Sequence, residues 1–396
     1  MEQGRPVWAE VDLDAVEYNI REIRRHIGSH AQIMAVVKAN AYGHGAVPVG
    51  RAALQAGASQ LGVACVDEGV QLRSAGIEAP IVILGYVPPW EAEAVVGYGL
   101  SPSVTTRDTA LALERAAAKA GKNVGVHVKV DTGMARLGLL PADVPAFVHM
   151  LATLAHLSLE GLYTHFASAD EVDKSFTWRQ FQAFLEVSQS IESPALRHVA
   201  NSGAISDLPQ LALDMVRPGI AIYGCYPSTE VMHNLDLRPA LSLKSRIARI
   251  TLLASGETVS YGRTWRAKRP SRIALVPCGY ADGVPRLLSN KGSVLVRGQR
   301  APIAGRVCMD HLMVDVTAIQ DAATHDEVVL IGRQGAEVIP VEEVAKLART
   351  INYEVLCAIA PRVPRYHLRG GKVVERQSLV EHTQFTPAAR VEATLA

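Results

Sequence analysis

The stretch AVVKANAYGHG, residues 35–45, ends an apolar run on a charge. Residues 33–37 (IMAVV) have the length and β-branched content of a buried strand, and Lys38 closes them. Ammonium groups are among the side chains least often fully buried. Two readings stand open: the strand reaches the surface at Lys38, or the amine is held there for chemistry. Outward from this point the pattern recurs. Short apolar runs at 33–37, 61–64, 81–84, 99–104, 124–130, 159–165, 196–200 and 213–219 alternate with helical stretches such as 109–121 and 176–191. Strands alternating with helices predict parallel β/α architecture, and eight of them predict a closed (β/α)8 barrel of the TIM type.

The residues that end the runs are polar: Lys38, Asp67, Lys129 with Asp131, His165, Asn201 with Ser202, and Arg217. A β/α barrel collects its active site at the C-terminal ends of its strands, so these residues are expected to form one ring. The first helix is marked by Leu13, Val16, Ile20, Ile23 and Ile27 at spacings of three and four, with Asp12 placed to cap it. After about residue 235 the texture changes to short Val- and Ile-rich runs broken by glycine turns, with one amphipathic helix at 341–351. The expected organisation is a short N-terminal segment over 1–11, a barrel over 12–235, a mainly β domain over 236–376, and a tail over 377–396.

Bulk properties narrow the function. The chain has 396 residues, too many for one ordinary core. A net charge of +1 gives no electrostatic case for nucleic acid or an anionic membrane. No apolar run reaches the roughly 18 residues of a membrane span, and the N-terminus lacks a signal peptide's apolar core. Five scattered cysteines without a CxxC pair read as reduced thiols of a cytoplasmic protein, with no metal site.

Each candidate group has a plain alternative. Lys38 could form a Schiff base with an aldehyde such as pyridoxal phosphate, or simply mark a strand end. ANSGA (200–204) and RPGIAIYG (217–224) follow the seventh and eighth strands, where barrels often bind phosphate, yet both also read as ordinary turns. Arg217 is either a surface arginine or a donor to the cofactor's pyridine nitrogen; with a pKa above about 12 it would keep its proton. His165 could stack on a flat ring or be structural. His127, Lys129 and Asp131 alternate along one strand and share a face; Lys129 and Asp131 could pair. Arg136 could anchor a carboxylate or phenolate, or form a loop salt bridge. Tyr261 belongs to the β region and could be a half-buried strand aromatic or a catalytic phenol supplied from elsewhere.

Together the motifs resemble the alanine racemase family, pyridoxal-phosphate enzymes of the barrel type (fold type III). The matching stretches are AVVKANAYGHG, HVKVDTGMARLG, YTHFASAD, ANSGA, VRPGIAIYG, VSYGRTW, GYADG, GRVCMDHLMVDV and INYEVLCAI, in order across both domains. The resemblance implies pyridoxal 5'-phosphate carried on Lys38, and a strand within 1–11, around Val7 to Val11, that packs with the β domain rather than the barrel. Tyr42, Ser202 and Tyr353, with backbone of Gly219 and Ile220, would contact its phosphate. Arg217 would bond the ring nitrogen, His165 would stack on the ring, and Arg136 would reach the phenolic oxygen and the substrate carboxylate. Lys129 would be carbamylated, as in many relatives. Tyr261 and Met309 would come from the second subunit of a homodimer, and Asp170, Tyr280, Arg286 and Arg306 would line an access corridor. The implied activity is interconversion of L- and D-alanine by two bases, Lys38 and Tyr261, supplying D-alanine for peptidoglycan. A broad-specificity or serine-type racemase is the alternative. A metal-dependent hydrolase on the same barrel would want an HxH pair where Lys38 stands. A non-catalytic carrier would lack the β domain, and a decarboxylase fits poorly with Arg217.

Overall fold

The eight apolar runs form eight parallel strands. We label the first strand of the chain β1 (Val7–Asp12) and those that follow β2 (Gln32–Val36), β3 (Gln60–Val63), β4 (Ile81–Ile83), β5 (Ser101–Val104), β6 (Val124–Lys129), β7 (Leu157–Tyr163), β8 (Leu196–His198) and β9 (Met215–Val216). In this computed structural model, which describes residues 5–192, 195–379 and 382–384, strands β2 to β9 close into a barrel. Closure comes from parallel pairing of Gln32 with Met215 and Ile33 with Val216. Met34, Val82 and Met215 meet inside one buried cluster with Leu84 and Leu196 against it, so the barrel interior is packed rather than hollow.

The first helix, Leu13–Ile27, starts where expected because Asp12 caps it, accepting the Asp14 N–H at 2.9 Å. Val16, Ile20 and Ile23 are fully buried; each such side chain contributes about 1.5–3 kcal/mol on leaving water. The helix expected over 341–351 is shorter, Val341–Ala348, because Arg349 turns into the left-handed region (φ 57°) and its N–H closes on Ala345 and Lys346 carbonyls.

The chain divides into two compact units. One comprises Ala15–Tyr42 and Ala46–Arg238, the barrel; the other comprises Met1–Asp14, Gly43–Gly45 and Pro239–Ala396. The second is mainly β. Its large sheet is nine-stranded among the described residues, and β1 lies inside it. β1 runs antiparallel to Leu241–Arg246 and parallel to Arg365–Arg369. Within the segment expected as a tail, His382–Gln384 adds a strand beside Lys372–Gln377. The remainder of that segment, residues 380–381 and 385–396, lies outside the described residues, as do residues 1–4. In the same unit Arg365 is buried and donates to the carbonyls of Gly43, Ile359, Ala360 and Val363. Gly43 itself must be glycine: φ is +83°, and an added Cβ would lie 2.3 Å from the Leu356 carbonyl oxygen.

Candidate active site

Lys38 begins an unusual element. Residues Lys38–Tyr42 make a helical turn in which Ala39, Asn40, Ala41 and Tyr42 all have φ between 51° and 53°. Left-handed helical geometry costs an L-residue roughly 1–2 kcal/mol, and single residues, not runs, normally adopt it. Here four non-glycine residues do so in succession. The turn is closed by the Ala41 N–H donating to the Val37 carbonyl at 2.8 Å, and Asn40 accepts the Ala46 N–H at 2.9 Å. Lys38 is half-buried at its head.

The other strand ends supply a cationic ring. Lys129, at the end of β6, is 5% exposed, and burial pushes its ammonium down to about 8. Arg136 and Arg217 add repulsion, Asp131 opposes it, and Lys38 contributes a smaller push. His165, just after β7, is held well below the usual histidine range by burial and then by Arg217, Lys129, Arg136 and Lys38. Residues from four strand ends thus sit within one another's field, and cations outnumber anions. Asp131 does not continue the strand face with His127 and Lys129. It lies in the following loop and accepts the N–H groups of Gly133 (2.9 Å) and Ala135 (3.1 Å), which shapes the segment leading to the exposed Arg136.

Arg217, after β9, is 3% exposed and elaborately held. Nη1 donates to the His198 carbonyl (2.5 Å) and to His198 Nδ1 (2.9 Å). Nη2 reaches the Thr164 carbonyl (2.7 Å), the Val199 carbonyl (3.2 Å) and His165 Nδ1 (3.3 Å). Burial lowers its pKa to about 10, which leaves it charged at neutral pH. Its Nε–H donates to no protein group among the described residues. The tautomers follow from donor logic. His198 must leave Nδ1 bare to accept from Arg217, so its Nε2–H donates to His127 Nδ1 at 2.9 Å. Tyr163 stacks flat on His198 (4.7 Å, 6°).

A third part of the ring brings hydroxyls and backbone N–H groups together. Ser202, 4% exposed, opens the short helix Ser202–Asp207, whose cap Asn201 accepts the Ala204 N–H at 3.0 Å. Ser202 Oγ accepts the N–H of Gly219 (3.0 Å) and of Ala221 (3.4 Å). A Cβ on Gly219 would lie 2.6 Å from Tyr42 Oη, so hydroxyls and backbone N–H groups crowd one spot that only glycine leaves open. Asp170 lies close by in the barrel, its carbonyl accepting the Ser228 hydroxyl at 2.5 Å. Asp67, in contrast, sits exposed in the first turn of Val66–Ser74; its neighbour Glu68 bonds the strand end instead.

The remaining predicted residues belong to the β unit. Tyr261 is 73% exposed, in the turn between the paired strands Thr258–Val259 and Trp265–Arg266. Ser260 before it has φ 66° and ψ 178°, a conformation nearly confined to glycine, and its hydroxyl donates to the Arg306 carbonyl at 2.7 Å. Tyr280 and Ala281 N–H groups donate to the carbonyls of Cys308 and Met309. Ser289 and Asn290, following Arg286, accept the N–H groups of Val307 and Gly305. Tyr261, Tyr280, Arg286, Arg306 and Met309 are all exposed, on three interbonded loops. Behind them the buried Asp282 carboxylate takes Arg5 (2.5 and 2.8 Å), Arg362 (2.8 Å) and the Gly279 N–H (2.9 Å). Tyr353 is half-buried on the helix Asn352–Cys357 of the same unit.

The pieces define a class of protein: a β/α barrel bearing an amine, a group of cations and a tight serine–glycine turn at its strand ends, followed by a β domain. Residues 11–227 match the family described as alanine racemase, N-terminal domain, and residues 240–367 match the alanine racemase, C-terminal domain. The chain belongs to the alanine racemase family. It is 48% identical to an alanine racemase of Halothermothrix orenii, over 91% of this chain and 96% of that one. It is 49% identical to one from Desulforamulus reducens, over 92% and 99% respectively. Among solved structures, alanine racemase from Bacillus anthracis with bound L-Ala-P superposes with a TM-score of 0.90 at 40% identity, covering 96% of this chain and 99% of that one.

Proposed function

We infer that this chain is an isomerase that interconverts L-alanine and D-alanine with pyridoxal phosphate as cofactor. The observation that carries the reading is the convergence, within one barrel, of the Lys38 amine, a surplus of cations, and the Ser202–Gly219–Tyr42 cradle. Such a site fits a flat, phosphorylated, aldehyde-bearing ring. Its hydroxyls and backbone N–H groups suit a phosphate, and Gly219 leaves the approach open. When bound, the cofactor supplies the electron sink that acidifies the α-proton of an amino acid.

The chain's residues then divide the work. Lys38 binds the cofactor through its amine. Ser202, Tyr42 and Tyr353, with the backbone of Gly219 and Ile220, hold the phosphate, and His165 stacks on the ring. The Arg217 Nη groups are committed to protein carbonyls and imidazoles, which leaves Nε–H for the ring nitrogen. A guanidinium does not surrender its proton, so Arg217 would donate to that nitrogen without protonating it. Arg136 holds the substrate carboxylate. Lys129, with a pKa near 8, has enough neutral amine to form a carbamate, whose negative charge would offset Arg136 and Arg217. Racemisation takes the Cα proton from one face and returns one to the other, which calls for two bases. Lys38 serves D-alanine, and the partner subunit's Tyr261 serves L-alanine. The partner's Met309 binds substrate through its backbone N–H. Asp170, Tyr280, Arg286 and Arg306 line the way in. The exposure of Tyr261 and Met309 supports this homodimeric arrangement.

No helix among the described residues is long and apolar enough to cross a membrane, and none of the five cysteines forms a disulfide. On this reading the enzyme works in the cytoplasm and supplies D-alanine for peptidoglycan. In deuterium oxide, purified protein should abolish the optical activity of L-alanine and place deuterium at Cα. Lys38→Ala should lose both the visible absorbance of the bound cofactor and racemisation. Tyr261→Phe should keep the absorbance and lose turnover; full activity in that variant would refute the two-base assignment. Equal turnover of serine would favour the broader racemase.

A further inference from the structure

The left-handed turn that carries Lys38 is held from outside by a residue with no assigned role. Glu68 Oε1 accepts the Ala39 N–H at 2.6 Å, and Oε2 accepts the Ala64 N–H at 2.7 Å. Both bonds are short, as charge-assisted bonds are. Glu68 is the third residue of the helix Val66–Ser74, a position from which glutamate ordinarily reaches back to cap its own helix. One oxygen does nearly that, meeting the residue before the Cys65 cap. The other crosses to the connection after β2 and binds the first left-handed residue, immediately following Lys38. One carboxylate therefore ties the ends of β2 and β3 together where the backbone is least willing to stay.

We propose that Glu68 is a positioning residue for Lys38: its carboxylate clamps the left-handed turn and so fixes the direction of the lysine side chain. The inference rests on the reading of Lys38 as the cofactor-bearing amine. Neither a neutral isostere nor a shorter carboxylate can do the same job. A glutamine side chain has one acceptor and would turn its amide N–H groups toward the second backbone N–H. An aspartate is one methylene too short to span both donors without movement.

The test uses full-length holoenzyme carrying Glu68→Gln. The kcat for alanine should fall about tenfold to a hundredfold, the range expected when a reacting group is misplaced by about an ångström. KM should move less than about threefold, because substrate binding is not what the clamp serves. Amide exchange over residues 37–42, read by mass spectrometry, should accelerate, and the cofactor should leave faster on dialysis. Glu68→Asp should be intermediate, and it carries the same readouts if the glutamine variant fails to fold. Adding Ala39→Gly to Glu68→Gln should recover part of the lost kcat, because glycine adopts the left-handed conformation without penalty. A merely structural cap would show a lowered Tm with unchanged kcat and unchanged exchange at 37–42, and that result overturns the proposal. Lys38→Ala separates the two claims. If that variant keeps the cofactor absorbance, the underlying reading fails. If it loses the absorbance while Glu68→Gln behaves as wild type, the clamp alone is wrong.

Discussion

Arg217 and its neighbours show how much one buried cation dictates. By donating to His198 Nδ1 it fixes a chain of neutral imidazoles, His198 then His127, while Tyr163 covers His198 from one side. Burial, then the Arg217 charge, lowers His127 to about 4 and holds His198 well below the usual range. The sign of the pH effect follows. Between pH 6.5 and about 4 the unfolded chain takes up protons that the folded one refuses, so stability is intact above 6.5 and is lost as pH falls through that window. His127 alone accounts for a loss on the order of 3 kcal/mol. His127→Gln keeps an acceptor for His198 without titrating, and acid denaturation monitored by circular dichroism should become shallower in this variant. Lys129 works at the other end of the scale. With the free amine's pKa pulled from 10.5 to about 8, stability measured in buffer freed of carbon dioxide should rise as pH climbs from 8 to 10.5, and Lys129→Met should flatten that rise. Incubation with labelled bicarbonate should place a carbamate on Lys129 and on no other lysine of the ring; absence of the label by mass spectrometry would remove the carbamate from the mechanism. At this scale the polar ends of apolar runs pointed to Lys38, Lys129, His165 and Arg217, which lie within one another's field, but not to the exposed placing of Asp67, which starts a helix instead. It was silent on His198, whose strand, LRHVA, looks like ordinary core.

Elements were legible to the extent that their physics is periodic. The Leu13–Ile27 helix announces itself by an apolar face and a cap, and the barrel strands by apolar runs at helical intervals. The two strained turns do not announce themselves. ANAY contains no glycine, and nothing in its composition predicts four left-handed residues; the conformation is imposed by tertiary contacts. Ser260 is similar: its glycine-like backbone sits before Tyr261 and is held by a hydroxyl bond to the Arg306 carbonyl. These opposing effects can be separated. Ser260→Ala keeps a strain on the order of 1–3 kcal/mol and loses a bond worth about 0.5–1.5 kcal/mol, so it should be the less stable variant. Ser260→Gly loses the same bond but sheds the strain, and should equal or exceed the wild type in urea denaturation. If glycine is the more damaging substitution, the turn is not strained in the way its dihedral angles indicate.

For the whole molecule, the change of texture after residue 235 is visible in the sequence, but no periodicity could reveal that Gly43–Gly45 group with Met1–Asp14 and Pro239–Ala396, since a three-residue loan between units has no compositional signature. The β unit raises the largest remaining question, because it exposes a phenol, a methionine and three polar loop residues that a barrel site alone does not use. If each active site joins the Lys38 of one protomer to Tyr261 of the other, inactive partners should complement. Lys38→Ala and Tyr261→Phe homodimers each carry two broken sites. A heterodimer made from them carries one site with both lesions and one site with neither. Random reassortment makes half of the dimers mixed, each with one intact site, so mixing should restore about a quarter of wild-type activity. The measurement is racemase activity after the two purified variants are dissociated and reassociated in equal amounts, with each variant treated alone as the control. Activity that stays at the level of the separate variants, although mixed dimers form by mass, would mean that the amine and the phenol are contributed by the same chain.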